Sequence, residues 1–270
     1  MDQLTWDIKM AEAWRNFPQP IRPCESEIKI IRRYLDEIIR KKGKDTKILI
    51  LGSTPEFRDL AHSKKLPAYV VDYSEDNHRA LTLLKKFKGK EVLFKQDWRK
   101  LKLKDKYDLV LAEASLNMVT KDEMPIVLKN VNNLLADGGL FISKTWVKLP
   151  VKSLSLENML NIYRKKYGHL VLNSAMNQYF YSLFYDSKKD TISIRDLYFK
   201  FKELHSKGIL TKKEFDSFER LSFDTTPLHL YLPNNRVFEN IAKKYFELLG
   251  AHFPKLPGMN RVPLYILRKK

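Results

Sequence analysis

The residues best able to do chemistry in this chain are a lone glycine, Gly52, and the carboxylates spaced behind it: Glu56, Asp72, Asp97 and Glu113. Gly52 closes an apolar run at residues 48–51, and Asp72 closes another at 68–71. Nucleotide-binding βαβ units carry a ribose-holding acid at a strand tip, about twenty residues after the first glycine of the preceding turn. The chemistry suits the position, because an ionised carboxylate accepts from both ribose hydroxyls at once. Ser53 or Thr54 can cap a helix that has Pro55 at its first position. A helix N-terminus aimed at the site favours an anionic group there. A dinucleotide asks for G-x-G-x-x-G at this turn, whereas the chain reads Gly-Ser-Thr-Pro-Glu-Phe from Gly52. The sugar-binding element is kept and the pyrophosphate-binding one is lost, so an adenosine ligand without a diphosphate fits better.

These residues need a scaffold that brings strand tips together. Further apolar runs fall at residues 91–94, 107–112 and 140–147, separated by helical periodicity at 57–61 and 123–135. The near-continuous apolar run at 107–112 fits a strand buried on both faces of a parallel sheet. Residues 25–42 form a helix with acids at its start, bases at its end and Gly43 as its stop. The motif Asp137-Gly138-Gly139 is expected to end the helix at 123–135. From residue 149 the rhythm turns helical, with Ser193-Ile-Arg-Asp196 and Thr211-Lys-Lys-Glu214 as capping boxes and almost no strands. A helix at 235–248 and strands at 250–253 and 263–267 close the chain, the last two too closely linked for a parallel crossover. The expected fold is α/β: a doubly wound, mostly parallel seven-stranded sheet with an antiparallel C-terminal strand, an N-terminal helical cap, and a helical insertion after the fifth strand. The divisions fall at residues 1–45 (cap and helix), 46–148 (cofactor-binding core), 149–230 (insertion or lid) and 231–270 (closing helix and strand pair). In the leader, Trp6, Trp14 and Phe17 beside a proline-rich turn are expected to pack on the core or roof a cleft.

The order of these pieces resembles a class I S-adenosylmethionine-dependent methyltransferase. The matching motifs are ILILGSTPEFRDLA, VVDYSEDN, QDW, YDLVLAEASLN, LLADGGLFISKTW and VPLYILRKK, with the leader WRNFPQPIRP similar to the cap of some bacterial members. The resemblance covers the chain except for the helical insertion. It implies S-adenosylmethionine as cofactor, with Gly52, Ser53 and Thr54 near its methionine part and Asp72 on the ribose, Tyr73 beside it. Asp97 would accept from the adenine amino group with Trp98 nearby, and Glu113, Ala114 and the loop to Asn117 would line the methyl-transfer end. Two features depart from the family: Ile50 stands where an acid is usual, and the glycine loop is reduced to Gly52. Glu56 either reaches the cofactor's ammonium group or simply favours the helix dipole.

Methyl transfer needs the nucleophile, methyl and sulfur held in line, and a base only if the acceptor must lose a proton. Glu113 is the nearest candidate base, and Asn117 stands between a catalytic role and a loop cap. Trp98 and Trp146 suit core packing, and His229 and Tyr231 suit ordinary packing more than contact with an acceptor. The scattered histidines and single Cys24 argue against a bound metal.

A net charge of +18 attracts polyanions, although the lysines that dominate it are spread along the chain and read as a solvated surface. The leading expectation is transfer to a small-molecule or peptide acceptor. The alternatives are an RNA acceptor, which needs lysines gathered at the cleft mouth, and a non-catalytic binder that keeps the fold. No apolar run is long enough for a membrane span, no basic segment precedes an apolar one at the N-terminus, and Cys24 has no partner. A cytoplasmic setting without membrane association is the resulting expectation.

Overall fold

The computed structural model describes residues 13–19, 21–150, 155–221, 224–255 and 262–270. Trp6 and Pro20 of the leader, and the Leu-Pro-Gly of the last connection (256–258), lie outside them. Helix α1 (Glu25–Lys42) opens with Glu25 and Glu27, closes with Arg40, Lys41 and Lys42, and stops at Gly43 with φ +62°. The Glu27 carboxylate accepts from the Cys24 N–H at 2.8 Å, which ties the helix start to its own first turn.

The sheet is built by β1 (Ile48–Leu51), β2 (Ala68–Asp72), β3 (Glu91–Lys95), β4 (Tyr107–Glu113) and β5 (Leu135–Lys144). Between them run α2 (Pro55–Ser63), α3 (Glu75–Thr82) and α4 (Met124–Leu134). The chain closes through α9 (Asn235–Ala242), β8 (Phe246–His252) and β9 (Leu264–Lys269). The seven strands lie in the order β3-β2-β1-β4-β5-β9-β8. Pairs from β3 to β5 are parallel, and β9 runs antiparallel to both β5 and β8. The expected seven-stranded sheet with an antiparallel C-terminal strand is the one observed.

Two boundaries differ from the sequence reading, each for a tertiary reason. Strand β5 starts directly from α4 at Leu135, so Asp137-Gly138-Gly139 is a bulge inside the strand and not a helix stop. Tyr107 pairs with Leu135 and Leu109 with Leu140, and the extra β5 residues arch over Gly138 at φ +71°. At Gly139 a Cβ would sit 2.9 Å from the Ala136 carbonyl oxygen, so no side chain fits. The helix expected to reach residue 248 ends at Ala242, because β9 needs an antiparallel partner and recruits residues 246–252.

The insertion is also not purely helical. It runs through α5 (Leu156–Ile162), a π-turn at Tyr163–Tyr167, α6 (Leu172–Leu183), α7 (Ile194–Ser206) and α8 (Lys212–Glu219). A short antiparallel pair, β6 (Ile192–Ser193) with β7 (His229–Leu230), returns its end to its middle. Ser193 and Thr211 cap α7 and α8 from their side chains, with the reciprocal Glu214 contact completing a capping box at α8.

Alternation along the central strands splits their burial between two cores. Ile48 and Ile50 face Ile31 and Leu35 of α1 and Phe57 and Leu60 of α2. Leu49, Leu51, Val110 and Ala112 face the other way, into a core shared with Trp14 and Phe17 of the leader and with Phe180, Phe201 and Phe218 of the insertion. The Phe201 and Phe218 rings stack with centroids 3.9 Å apart, and Phe180 meets Phe201 edge-on at 4.8 Å. Because the insertion completes this core, Phe201→Ala is expected to cost about 3–5 kcal/mol of global stability. Denaturation monitored by far-UV signal and by tryptophan fluorescence should move together in the variant; separated transitions would mean that the insertion unfolds by itself.

Candidate functional site

The C-terminal ends of β1, β2 and β4 open onto one cavity of about 840 Å3, at the point where strand order reverses between β1 and β4. Gly52, Ser53 and Thr54 line it after β1, Asp72 and Tyr73 after β2, Asp97 and Trp98 after β3, and Glu113 and Ala114 after β4. The leader contributes Trp14, Phe17 and Ile21, so the aromatic leader does roof the cleft. The insertion contributes Tyr181, Asp190, Thr191, His229 and Tyr231.

The thin glycine turn is braced by side chains. Gly52 has φ +90°, a conformation costly for any other residue, and its N–H donates to the Val71 carbonyl at 2.8 Å. Ser53 does not cap α2; Thr54 takes the N-cap position without a side-chain bond, and Pro55 follows as the first helical residue. The Ser53 hydroxyl instead donates to Asp72 Oδ2 at 2.5 Å, and Asn77 Nδ2 donates to the same oxygen at 2.8 Å. Among the described residues, Asp72 Oδ1 accepts only the Ser74 N–H, at 3.0 Å. One carboxylate oxygen is thus held by two donors, while the other keeps a lone pair for a ligand. Beneath the turn, the fully buried Arg58 donates to the Ser53 carbonyl at 3.4 Å and pairs with Glu91 of β3. Burial pushes the Glu91 carboxyl up, but hydrogen bonds from His78, Arg58 and Lys85 outweigh it and hold the group well below the usual carboxylate range.

Asp97 reaches the cavity wall already engaged. Its Oδ1 accepts the Arg99 N–H at 2.9 Å, and the Arg99 guanidinium grips both oxygens and bridges on to Glu123 at 2.6 Å. Arg99 is local to Asp97, but its second partner, Glu123 at the start of α4, is brought to it only by packing. The Trp98 indole N–H donates to the Val71 carbonyl at 3.1 Å, and its ring lies 3.7 Å from where a Cβ on Gly52 would stand. Trp98, which the resemblance puts near the adenine, and Trp146 pack in the main core as expected and also line the cavity.

No family profile matches the chain, and no curated protein matches its sequence. Solved structures do match. The CcbJ methyltransferase of Streptomyces caelestis aligns with 100% of this chain and 99% of its own, with a TM-score of 0.61 and 14% identity. S-adenosylmethionine-bound CalS10, an amino pentose methyltransferase from Micromonospora echinaspora, aligns over 100% of both chains with a TM-score of 0.54 and 11% identity. A putative zinc-dependent alcohol dehydrogenase from Rhodobacter sphaeroides aligns over 98% of this chain and 100% of its own, with a TM-score of 0.52 and 15% identity. The fold is that of the class I methyltransferases. At such identities the likeness carries the fold and nothing finer.

Within that fold, two features face the cavity. Asp72 offers its underused Oδ1 at the β2 tip, and α2 aims its N-terminus over the turn at Gly52. The sequence reading of two other residues needs correction. Glu56 is absent from the cavity lining; its Oε1 accepts the Trp14 indole N–H at 3.3 Å with Arg22 at 3.9 Å, so it clamps the leader. Burial pushes the Glu56 carboxyl up. Asn117 is fully buried and also outside the lining. Its amide donates to the Trp146 and Tyr231 carbonyls, both at 2.8 Å, and its oxygen accepts the Trp146 N–H at 2.9 Å. It pins the insertion's return to the end of β5, which is the loop-cap side of the two roles expected for it. Conversely, His229 and Tyr231, given to packing by sequence, line the cavity.

Glu113 lines the cavity with its side chain 3% exposed and pairs with the fully buried Lys144 at 2.9 Å. Burial raises the Glu113 carboxyl, the Lys144 charge opposes that, and the Glu27 charge adds to it, with a net upward shift. Burial alone would lower the Lys144 ammonium, but Glu113 and Glu27 outweigh it and raise it. Ala114 follows with φ +55°, and the Ser115 hydroxyl donates to the Leu51 carbonyl at 2.8 Å, stitching β4 to β1. Among the described residues, no group of three or more His, Cys, Asp or Glu could hold a metal ion, and no helix is long and apolar enough to cross a membrane.

Two outcomes follow from these contacts. Asn117→Ala should lower stability by about 1–3 kcal/mol through main-chain groups left unpaired, read by urea denaturation. Glu91 has a depressed folded-state value, so its contribution is complete above the unfolded carboxylate value of about 4.3 and is lost as pH falls through the folded one. The fall in stability on acidification below that value should therefore be shallower in Glu91→Gln than in the unaltered protein.

Proposed function

We propose that this protein is an S-adenosylmethionine-dependent methyltransferase acting on a small-molecule acceptor. The observation that carries the reading is Asp72: a buried carboxylate at the β2 tip, oriented by Ser53 and Asn77, with one oxygen turned to a cavity that continues under the leader and insertion. When bound, the cofactor would supply an activated methyl group on a positively charged sulfur. The chain's own part is positional. Asp72 binds the ribose, the N-terminus of α2 meets the methionine carboxylate, and Trp98 walls the adenine side. Trp14 and Phe17 over the site keep water from the reacting atoms.

The acceptor chamber lies beyond Glu113, between Trp146, Tyr181, Tyr231 and His229. Burial pushes the Tyr231 phenol up to about 12, so it stays protonated and serves as a hydrogen-bond donor to an acceptor. Enclosure by the leader and the insertion supports a small acceptor. The likeness to CalS10, an amino pentose methyltransferase, is consistent with one. An RNA acceptor asks for cations at the mouth. The basic lining is Arg99, Lys121 and Lys189, with Arg99 spent on Asp97 and Glu123, and it is outnumbered by acids that include Asp122 and Asp190. That balance counts against RNA despite the overall +18.

Isothermal calorimetry with S-adenosylmethionine and S-adenosylhomocysteine tests the reading, and the absence of binding to the folded protein would sink it. Asp72→Ala removes a charged acceptor of about 1.5–3 kcal/mol, so affinity for either compound should fall by roughly 10- to 100-fold. Unchanged affinity would remove the ribose contact from the proposal.

A further inference from the structure

Lys144 stands behind the cofactor half of the cavity with no exposure, 3.2 Å from Glu27 of α1 and 2.9 Å from Glu113 of β4. Two buried carboxylates share this one buried ammonium, so the fully ionised cluster carries an uncompensated negative charge. Among the described residues, the surrounding elements do not relieve it. Glu56 on α2 is close enough to push the Glu113 carboxyl further up, and the cation nearest to Glu56, Arg22, is 3.9 Å away and one-third exposed. Cys24 ahead of α1 adds no cation, since burial raises its thiol. Among the described residues, Glu27 Oε1 and Glu56 Oε2 are buried without a hydrogen-bond donor. Of these three acids, Glu113 is the one that lines the cavity.

An unpaired buried charge is resolved in one of two ways: the group takes up a proton, or a cation is brought to it. In the free protein the first is the cheaper. The second is available if a ligand carries an ammonium group to the Glu113 side of the cluster, as the amino-acid end of S-adenosylmethionine does. Resting on the function proposed above, we propose that the Glu113–Lys144–Glu27 cluster seats the cofactor's α-ammonium and releases a proton to solvent when it does so. The carboxyl O–H bond breaks and its proton passes to the buffer, while the arriving ammonium keeps its three hydrogens and donates to the carboxylate. Glu113 then serves as a cofactor ligand, and the base role considered for it from sequence falls away, because its charge is committed to Lys144 and the ammonium.

Calorimetry at one near-neutral pH, in phosphate and in Tris, counts the protons exchanged on binding. S-adenosylhomocysteine carries the ammonium and 5′-methylthioadenosine lacks it. The expected result is a release approaching about one proton with the first, none with the second, and none with the first in Glu113→Gln. A partly neutral amine on the ligand would take up a proton, which is the opposite sign. Equal release with both nucleosides, no release with S-adenosylhomocysteine, or a release that survives Glu113→Gln would overturn the proposal. The contrast between the two nucleosides on the unaltered protein decides the matter even where the variant does not fold. No heat with either nucleoside would instead remove the methyltransferase reading itself, and this proposal with it.

Discussion

Two neighbouring strands that must leave the sheet in opposite directions open the crevice on which everything else depends. Strand β1 feeds a helix toward one edge and β4 a loop toward the other. Both exits use left-handed backbone, at Gly52 with φ +90° and at Ala114 with φ +55°. Ala114 holds this conformation against its own steric preference, and the Ser115 hydroxyl on the Leu51 carbonyl supplies a brace beside it. The gap between the two exits is lined by main chain on both sides, so a ligand there meets backbone polar groups as well as side chains.

A glycine-poor turn in such a place raises the question of what holds it. The answer is a polar frame drawn from three elements. Ser53 and Asn77 grip one oxygen of Asp72, and Arg58 reaches the Ser53 carbonyl from beneath while paired with Glu91. Fixed side chains replace the conformational freedom that additional glycines would bring, so the turn is rigid instead of permissive. The charge distribution follows the same logic of enclosure. The cavity lining carries more acids than bases despite the chain's excess of lysine, and the buried Lys144 behind it serves one cavity acid, Glu113, and one acid outside the lining, Glu27.

The leader and insertion belong to this site as much as the sheet does. Glu56 clamps Trp14, the Ser174 hydroxyl donates to the Gln19 carbonyl, and Asn117 sews the end of β5 to the insertion's return at Tyr231. These long-range bonds close the cavity from two directions, with a core of stacked phenylalanines behind.

Much of the architecture was legible in the amino-acid order because it rests on local chemistry. Apolar runs at 48–51, 68–71 and 107–112 could only be buried strands, the charge gradient and Gly43 marked α1, and the strand-tip position of Asp72 followed from spacing. The boundaries at Leu135 and Phe246 were not legible, since each is set by a partner strand far away in the chain. The same holds for single residues. A glutamate after a helix-capping proline and an asparagine after a strand look alike whether they meet a ligand or another part of the protein. Only packing made Glu56 a clamp, Asn117 a staple and Glu113 a cavity acid on a buried lysine. The sequence by itself determined which segments form the central parallel strands and that a lone glycine and an acid stand at their tips as a nucleotide-type ligand would need, because periodicity and backbone preference act over a few residues. Which polar groups remain free for that ligand was decided by the tertiary structure alone, because a hydrogen bond or ion pair exists only once both partners have been brought together.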